Sequence, residues 1–224
     1  MSLSKFQLLL GLIFLFMFEL TVMKIFETNK APNPRRVRIF LAEKAIEMEY
    51  IEVNIAGGEN LTPAMRAKNP TTKIPFLELD DGTCIGETTA ICRYFEELNP
   101  ENPLMGRTPL EKAQVEMWQR RVEFHFMLPI GMCFQHTSGY FKDRMKPIAE
   151  WGKVSGENAI AYFNELNKHF KTSTYLVGDY FSIADINLLC AIDFARVVKI
   201  RPSEEYTYLL AWYKKVSARP SYSA

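Results

Sequence analysis

Asn69-Pro70-Thr71-Thr72-Lys73-Ile74-Pro75-Phe76-Leu77-Glu78-Leu79-Asp80-Asp81-Gly82-Thr83-Cys84-Ile85-Gly86-Glu87-Thr88-Thr89-Ala90-Ile91-Cys92-Arg93-Tyr94-Phe95 is the stretch whose reading decides the fold. It reads as a strand, a hairpin turn, a second strand, and a helix that opens at a polar pair. Asp81-Gly82 between two apolar runs is a short-range hairpin signal. Pro75 stands at the first position of an apolar strand, where its missing N–H is tolerated. Glu87-Thr88 puts a carboxylate and a hydroxyl at a helix start, where unpaired N–H groups favour anions. A proline-led strand end beside such a helix start is suited to holding a peptide at both ends of its backbone.

Upstream of this stretch, Met23 to Glu27 reads as a strand and Thr28 to Asn33 as a polar loop. A helix follows, with Asn33 as N-cap and Pro34 at the first helical position. Val37, Phe40 and Leu41 share one face, and the helix ends near Lys44-Ala45. Met48 to Val53 alternates and reads as a second strand. Strand–helix–strand implies a parallel pair joined by a right-handed crossover. Ala56 to Asn60 is a loop, and Thr62-Pro63 begins a short helix. The helix after Glu87 carries Ile91, Tyr94, Phe95 and Leu98 on one face and stops before Asn99-Pro100. Residues 23–102 are thus expected to form a βαβαββα unit.

Downstream, strand alternation ceases. Residues 103–110 are expected to be a linker and 111–224 an all-helical domain. Helices are expected from Pro109 to about Met127, from about Glu150 to Phe170, from Ile183 to Val198, and from Tyr208 to Ser217. Pro129 and Gly131 are expected to break or kink the first. Thr108-Pro109-Leu110-Glu111 and Ser182-Ile183-Ala184-Asp185 are capping boxes, the second flanked by Phe181 and Ile186 as a hydrophobic staple. Ile183 to Phe194 is apolar nearly all round, the mark of a buried central helix.

Composition fits this α/β plus all-α reading. The chain has 224 residues, 48% hydrophobic and 24% charged, with a net charge of +1. Nothing in that balance draws it to nucleic acid or to an anionic membrane. Its four cysteines (Cys84, Cys92, Cys133, Cys190) are scattered without metal spacing, so no metal site is expected and a cytoplasmic location with reduced thiols fits. Residues 1–22 differ, since Leu8 to Phe18 is almost wholly apolar. That run is short for a membrane span of roughly 20 residues. It has the length of a signal core, but no small-residue cleavage site follows it. Three readings stand: an extension in front of the fold, a short membrane-attaching or uncleaved signal segment, or a buried accessory helix.

Four motifs, in order and at their spacing, carry a family resemblance: Asn33-Pro34-Arg35-Arg36-Val37-Arg38-Ile39, Lys73-Ile74-Pro75, Glu87-Thr88-Thr89-Ala90-Ile91, and Ser182-Ile183-Ala184-Asp185-Ile186. Over about residues 23–222 the chain resembles the cytosolic glutathione transferases. Trp118-Gln119-Arg120-Arg121-Val122-Glu123 and Ser217-Ala218-Arg219-Pro220-Ser221 look like a bacterial branch similar to one atypical yeast class. The resemblance implies a thioredoxin-like domain followed by a helical bundle, a homodimer, and glutathione as co-substrate without metal. It also implies a cis Ile74–Pro75 bond, with the Ile74 backbone pairing with the cysteinyl unit as an added strand would. Glu87 would then hold the γ-glutamyl ammonium, Thr88 the γ-glutamyl carboxylate, and Lys73 and Asn60 the glycyl carboxylate.

Such an enzyme needs the glutathione thiol as thiolate, because the thiolate is the nucleophile. Relatives often place a serine in the loop after the first strand, just before a proline. Here that position is Ala31, and Thr28 stands at the strand end. The activating group is therefore sought elsewhere. One source is the helix start at Asn33, with its N–H groups and dipole. The other is Phe134-Gln135-His136-Thr137-Ser138, where His136 and Ser138 parallel a His and Ser that the yeast class is thought to use through a water. Phe124, Phe126, Met127, Met132, Phe134 and Tyr140 are candidates for the pocket of a small apolar electrophile, although core packing explains most of them. The resemblance thus implies a detoxifying transferase. The rival readings are a non-catalytic binding or regulatory protein on the same fold, favoured by Ala31, and a glutathione-dependent peroxidase or dehalogenase on the same site.

Overall fold

In the computed structural model, which describes residues 23–224, strand β1 (Lys24–Glu27) runs parallel to β2 (Glu49–Glu52). Residues 1–22, with the three readings they allow, lie outside the described residues. The crossover between β1 and β2 is helix α1 (Pro32–Glu43). Strand β3 (Phe76–Glu78) pairs antiparallel with β1, and β4 (Cys84–Ile85) closes the hairpin. The sheet order is β2-β1-β3-β4. The turn closes as its sequence requires. Gly82 takes φ 83°, its N–H donates to the Leu79 carbonyl at 2.9 Å, and the Thr83 N–H donates to Asp81 Oδ1 at 2.8 Å.

Helix α1 starts two residues earlier than its sequence predicts. Ala31 is the N-cap, with no side-chain capping bond, and Asn33 lies inside the first turn. The reason is Pro32, whose fixed φ suits the first helical position as well as that of Pro34 does. Helix α2 (Pro63–Lys68) is short and capped by Thr62, which accepts from the Met65 N–H at 3.4 Å. Helix α3 (Thr88–Leu98) buries Ile91, Cys92 and Phe95 but leaves Leu98 exposed, against the sequence expectation. Glu96 is buried in this helix instead. It accepts from the Met105 N–H at 2.8 Å and pairs with Lys44 at 2.8 Å, which ties the segment after α3 back onto the α/β unit. Leu104 and Met105 in that segment are core residues, so the stretch expected to be a linker is packed.

Helix α4 (Pro109–Val122) begins at the predicted capping box, with Glu111 N–H donating to Thr108 Oγ1 at 3.2 Å. It does not break at Pro129. Residues Glu123–Met127 widen into a π-turn, and the chain continues directly as α5 (Leu128–Thr137). The wider turn accommodates a proline that has no N–H and would collide with the carbonyl four residues back. His136 thus lies in the last turn of a helix, beyond the expected helix end near Met127. Helices α6 (Ala149–Phe170), α7 (Ile183–Ala195) and α8 (Thr207–Ser217) complete the bundle. Among the described residues no helix is long and apolar enough to cross a membrane.

Helix α7 is the spine of the core, with Ile183 to Ile192 buried without interruption. Helix α1 packs against it, and two adjacent arginines lock the pair. Arg35 donates to Asp193 at 2.6 Å and to the Tyr222 carbonyl at 3.0 Å, and Arg36 donates to Asn187 at 2.8 Å. Arg219 reaches back to Glu43 at the end of α1, at 2.8 and 2.5 Å. The start of α1 is therefore held rigidly against both halves of the chain.

Candidate functional site

The loop from Asn69 to Pro75 is braced from behind. Asn60 donates to the Thr72 carbonyl at 2.9 Å, and Asn69 donates to the Lys73 carbonyl at 2.7 Å. The Ile74–Pro75 bond is cis and Pro75 is buried, while Lys73 is exposed. Asn60 is 9% exposed, and one N–H of its amide is given to the Thr72 carbonyl. That bond makes Asn60 a brace for the loop that carries Lys73 and Ile74.

Next to this loop, α3 opens at Glu87. That residue is exposed and sits at φ 64°, ψ 122°, a backbone region that costs a non-glycine residue on the order of 1–3 kcal/mol. Its side chain makes no capping bond, so the first-turn N–H groups of α3 are not taken by a cap. Thr88 follows at 8% exposure, with its Oγ1 accepting from Arg36 at 3.5 Å. Strain at the mouth of an uncapped helix marks a place shaped for something other than stability.

The start of α1 lies close to the same Arg36. Pro32 and Pro34 have no N–H, and the Arg35 N–H is used by the Ala31 carbonyl at 3.4 Å. Among the described residues this leaves Asn33 as the first-turn backbone donor outside the helix's own bonding. Asn33 Oδ1 accepts from Arg36 at 2.7 Å. Thr28, the remaining hydroxyl of the preceding loop, is committed elsewhere, donating to Glu52 at 2.6 Å.

His136 and Ser138 both have local partners. His136 Nδ1 accepts from the Ile148 N–H at 3.0 Å, which leaves the proton of the neutral ring on Nε2. Ser138 Oγ accepts from the Tyr140 N–H at 3.1 Å. The expected apolar lining divides. Phe126 and Met127 are core residues, and Phe124 faces solvent on the outer surface. Phe134 and Tyr140 instead join a cluster with Phe141 and Phe194, with ring centroids of Phe134 5.3–6.2 Å from the other three. Arg144 ties this segment to the α/β unit by donating to the Ile55 carbonyl at 3.1 Å. Gly131 lies one turn before Phe134 on α5, and a Cβ there would meet nothing within 4 Å.

Comparison with known proteins places this geometry. Residues 26–103 match the model of the glutathione S-transferase N-terminal domain, and residues 149–220 match that of the C-terminal domain. The chain belongs to the glutathione S-transferase family. It is 37% identical to glutathione S-transferase 2 of Saccharomyces cerevisiae, over 89% of this chain and 87% of that one. A crystal structure of Gtt2 from the same yeast superposes with a TM-score of 0.85 over 89% of this chain and 98% of the other. A glutathione S-transferase domain-containing protein of Marinobacter aquaeolei is 38% identical with a TM-score of 0.85, covering 88% and 98%. Probable elongation factor 1-gamma 1 of Arabidopsis thaliana is 32% identical over 81% of this chain, which spans only 45% of that protein.

The family uses glutathione as co-substrate, and this member's own thiols are poor substitutes for it. Burial pushes the Cys190 thiol up to about 11 and raises that of Cys92 further, and Cys84 is shifted the same way. Among the described residues no cluster of His, Cys, Asp or Glu is arranged to hold a metal. One site residue escaped the sequence reading altogether. Arg36 is 7% exposed and contacts both Asn33 and Thr88. In the sequence it is one arginine of the pair Arg35-Arg36 on a helix, and only the packing of α1 against α3 and α7 brings it behind both helix starts.

Proposed function

We propose that the protein conjugates the thiolate of glutathione to small apolar electrophiles. The observation that carries this reading is the start of α3, where a strained, uncapped Glu87 precedes the buried Thr88. An exposed carboxylate beside unpaired N–H groups is complementary to the ammonium and carboxylate of a γ-glutamyl end. Lys73 stands on the adjoining loop for the glycyl carboxylate, and the Ile74 backbone for the central unit, with Asn60 holding that loop in place. The Asn33 N–H and the α1 dipole lower the cost of a thiolate near Ala31, with His136 Nε2 as a second donor and Ser138 as its companion in the yeast-like arrangement. The aromatic cluster Phe134, Tyr140, Phe141 and Phe194, with the open space over Gly131, suits an apolar partner. The protein is expected to act as a cytoplasmic homodimer with a detoxifying role.

Retention on immobilised glutathione, followed by a conjugation assay with an aromatic halide, tests the reading. We expect both. Failure of both refutes it. Retention without turnover favours the second reading, a glutathione-binding module without chemistry. Ala31 at the α1 N-cap favours that alternative, because it supplies neither hydroxyl nor thiol where relatives often do.

A further inference from the structure

Arg36 is a buried cation that no carboxylate touches, although Glu123 and Glu87 act on it from a distance. Its guanidinium donates to Asn187 Oδ1 at 2.8 Å, Asn33 Oδ1 at 2.7 Å and Thr88 Oγ1 at 3.5 Å, all neutral acceptors. Among the described residues it forms no ion pair with a carboxylate, unlike Arg35 and Arg38 beside it on the same helix. Its Nε is buried without a partner. The neutral side goes on into the core, where Asn187 Nδ2 faces Gln119 Oε1 at 3.5 Å. An aspartate in place of Asn187 would supply the missing charge, and the chain has the neutral amide there. A buried unpaired cation is costly and persists where something else completes it.

We propose that Arg36 is the positioning residue of the ligand site: it turns the acceptor oxygens of Asn33 and Thr88 inward, so that both side chains offer donors to an anionic ligand whose charge Arg36 then balances. The reasoning is in the valence of the groups. A guanidinium only donates. A threonine hydroxyl that accepts from it has its own proton left to give, and an asparagine whose oxygen is engaged presents its NH2. Both helix starts therefore become donor surfaces, α1 on the thiol side and α3 on the γ-glutamyl side. Burial lowers the proton affinity of Arg36, and the Glu123 and Glu87 carboxylates offset this only in part.

This inference rests on the glutathione reading, and the test separates the two. Binding of S-methylglutathione, which has no thiol to titrate, is measured by calorimetry on the full chain. Absence of binding to the wild type overturns the glutathione reading and this inference with it. Given wild-type binding, Arg36→Gln is expected to weaken it about tenfold or more, the scale of a charge-assisted hydrogen bond. Thr88→Val in the Arg36→Gln background is expected to add little, because the hydroxyl is no longer oriented. Equal affinity in Arg36→Gln, or strictly additive losses, overturns the proposal. Asn187→Asp keeps the guanidinium and gives it a partner in the core, so it tests the idea even where Arg36→Gln does not fold. Its expected signature is a raised melting temperature with weakened binding. A purely structural role for Arg36 predicts unchanged or tighter binding in that variant, and that outcome overturns the proposal.

Discussion

Helices α3 and α7 both begin with an acidic residue close to a hydroxyl residue, Glu87-Thr88 in one and Ser182 with Asp185 in the other. At α7 every group is consumed. The Asp185 carboxylate accepts from the Ser182 N–H and hydroxyl at 3.1 Å, from the Leu176 N–H at 3.0 Å and from Trp212 Nε1 at 3.0 Å, with no exposure. At α3 the acid makes no capping bond, stands in solvent and holds a positive φ. The first start is closed in favour of stability, and the second is kept open at a cost in stability. The difference separates a start that is spent on structure from one left open for a ligand in the proposed function, although their local sequences look alike.

Breaking the closed start should have the largest effect. Asp185→Ala leaves the Leu176 N–H and Trp212 Nε1 buried without acceptors, at a cost of about 3 kcal/mol or more. Chemical denaturation should show that loss, while any folded fraction still binds glutathione. The same carboxyl gives the closed start a pH signature. Burial pushes it up to about 6, so the folded state binds more protons than the unfolded chain between about pH 4 and 6. Its contribution to stability is thus fullest below that window and is lost as pH rises through it. Denaturation midpoints across the window should show this slope in the wild type and not in Asp185→Asn.

The open start should respond in the opposite sense. Glu87→Gly relieves the positive φ and removes the carboxylate. Stability is expected to hold or rise by up to about 1 kcal/mol, while retention on immobilised glutathione falls about tenfold, the scale of one charge-assisted contact. A parallel fall in both would show that Glu87 is structural, which would erase the contrast. The smallest effect is expected at the third helix start. Ala31→Ser supplies the N-cap hydroxyl that α1 lacks and should stabilise the protein by about 1 kcal/mol or less. It should also lower the pKa of the bound thiol, read from thiolate absorbance.

Much of this was legible along the chain because it is set by local rules. Asp81-Gly82 reported its turn, since few residues tolerate the backbone it needs. Thr108 and Ser182 reported their helices through boxes completed within four residues. The misreadings arise where a local signal has more than one backbone solution or where a distant contact overrides it. Asn33 looks like a cap because Pro34 fits a first helical position, but Pro32 fits it equally well and the helix begins there. Pro129 predicts a break or kink ahead of His136, whereas a π-turn carries the helix through. Leu98 follows helical periodicity onto the apolar face, but the buried face at that end of α3 is shaped by Glu96 and its partners Lys44 and Met105.

The sequence by itself determined the order of elements, the hairpin, the two capping boxes, the central apolar helix and the family, since each rests on residues near one another or on a spacing along the chain. Tertiary structure decided which polar residues are spent and which are left to act. Thr28 is committed to a partner, Asn60 is tied to the loop it braces, Glu87 is held open, and Arg36 is buried between two helix starts without a hydrogen-bonded carboxylate. Those outcomes depend on groups 3 to 151 positions apart meeting in space, as Arg36 meets Asn33 and Asn187. No local pattern records a hydrogen bond that only packing creates.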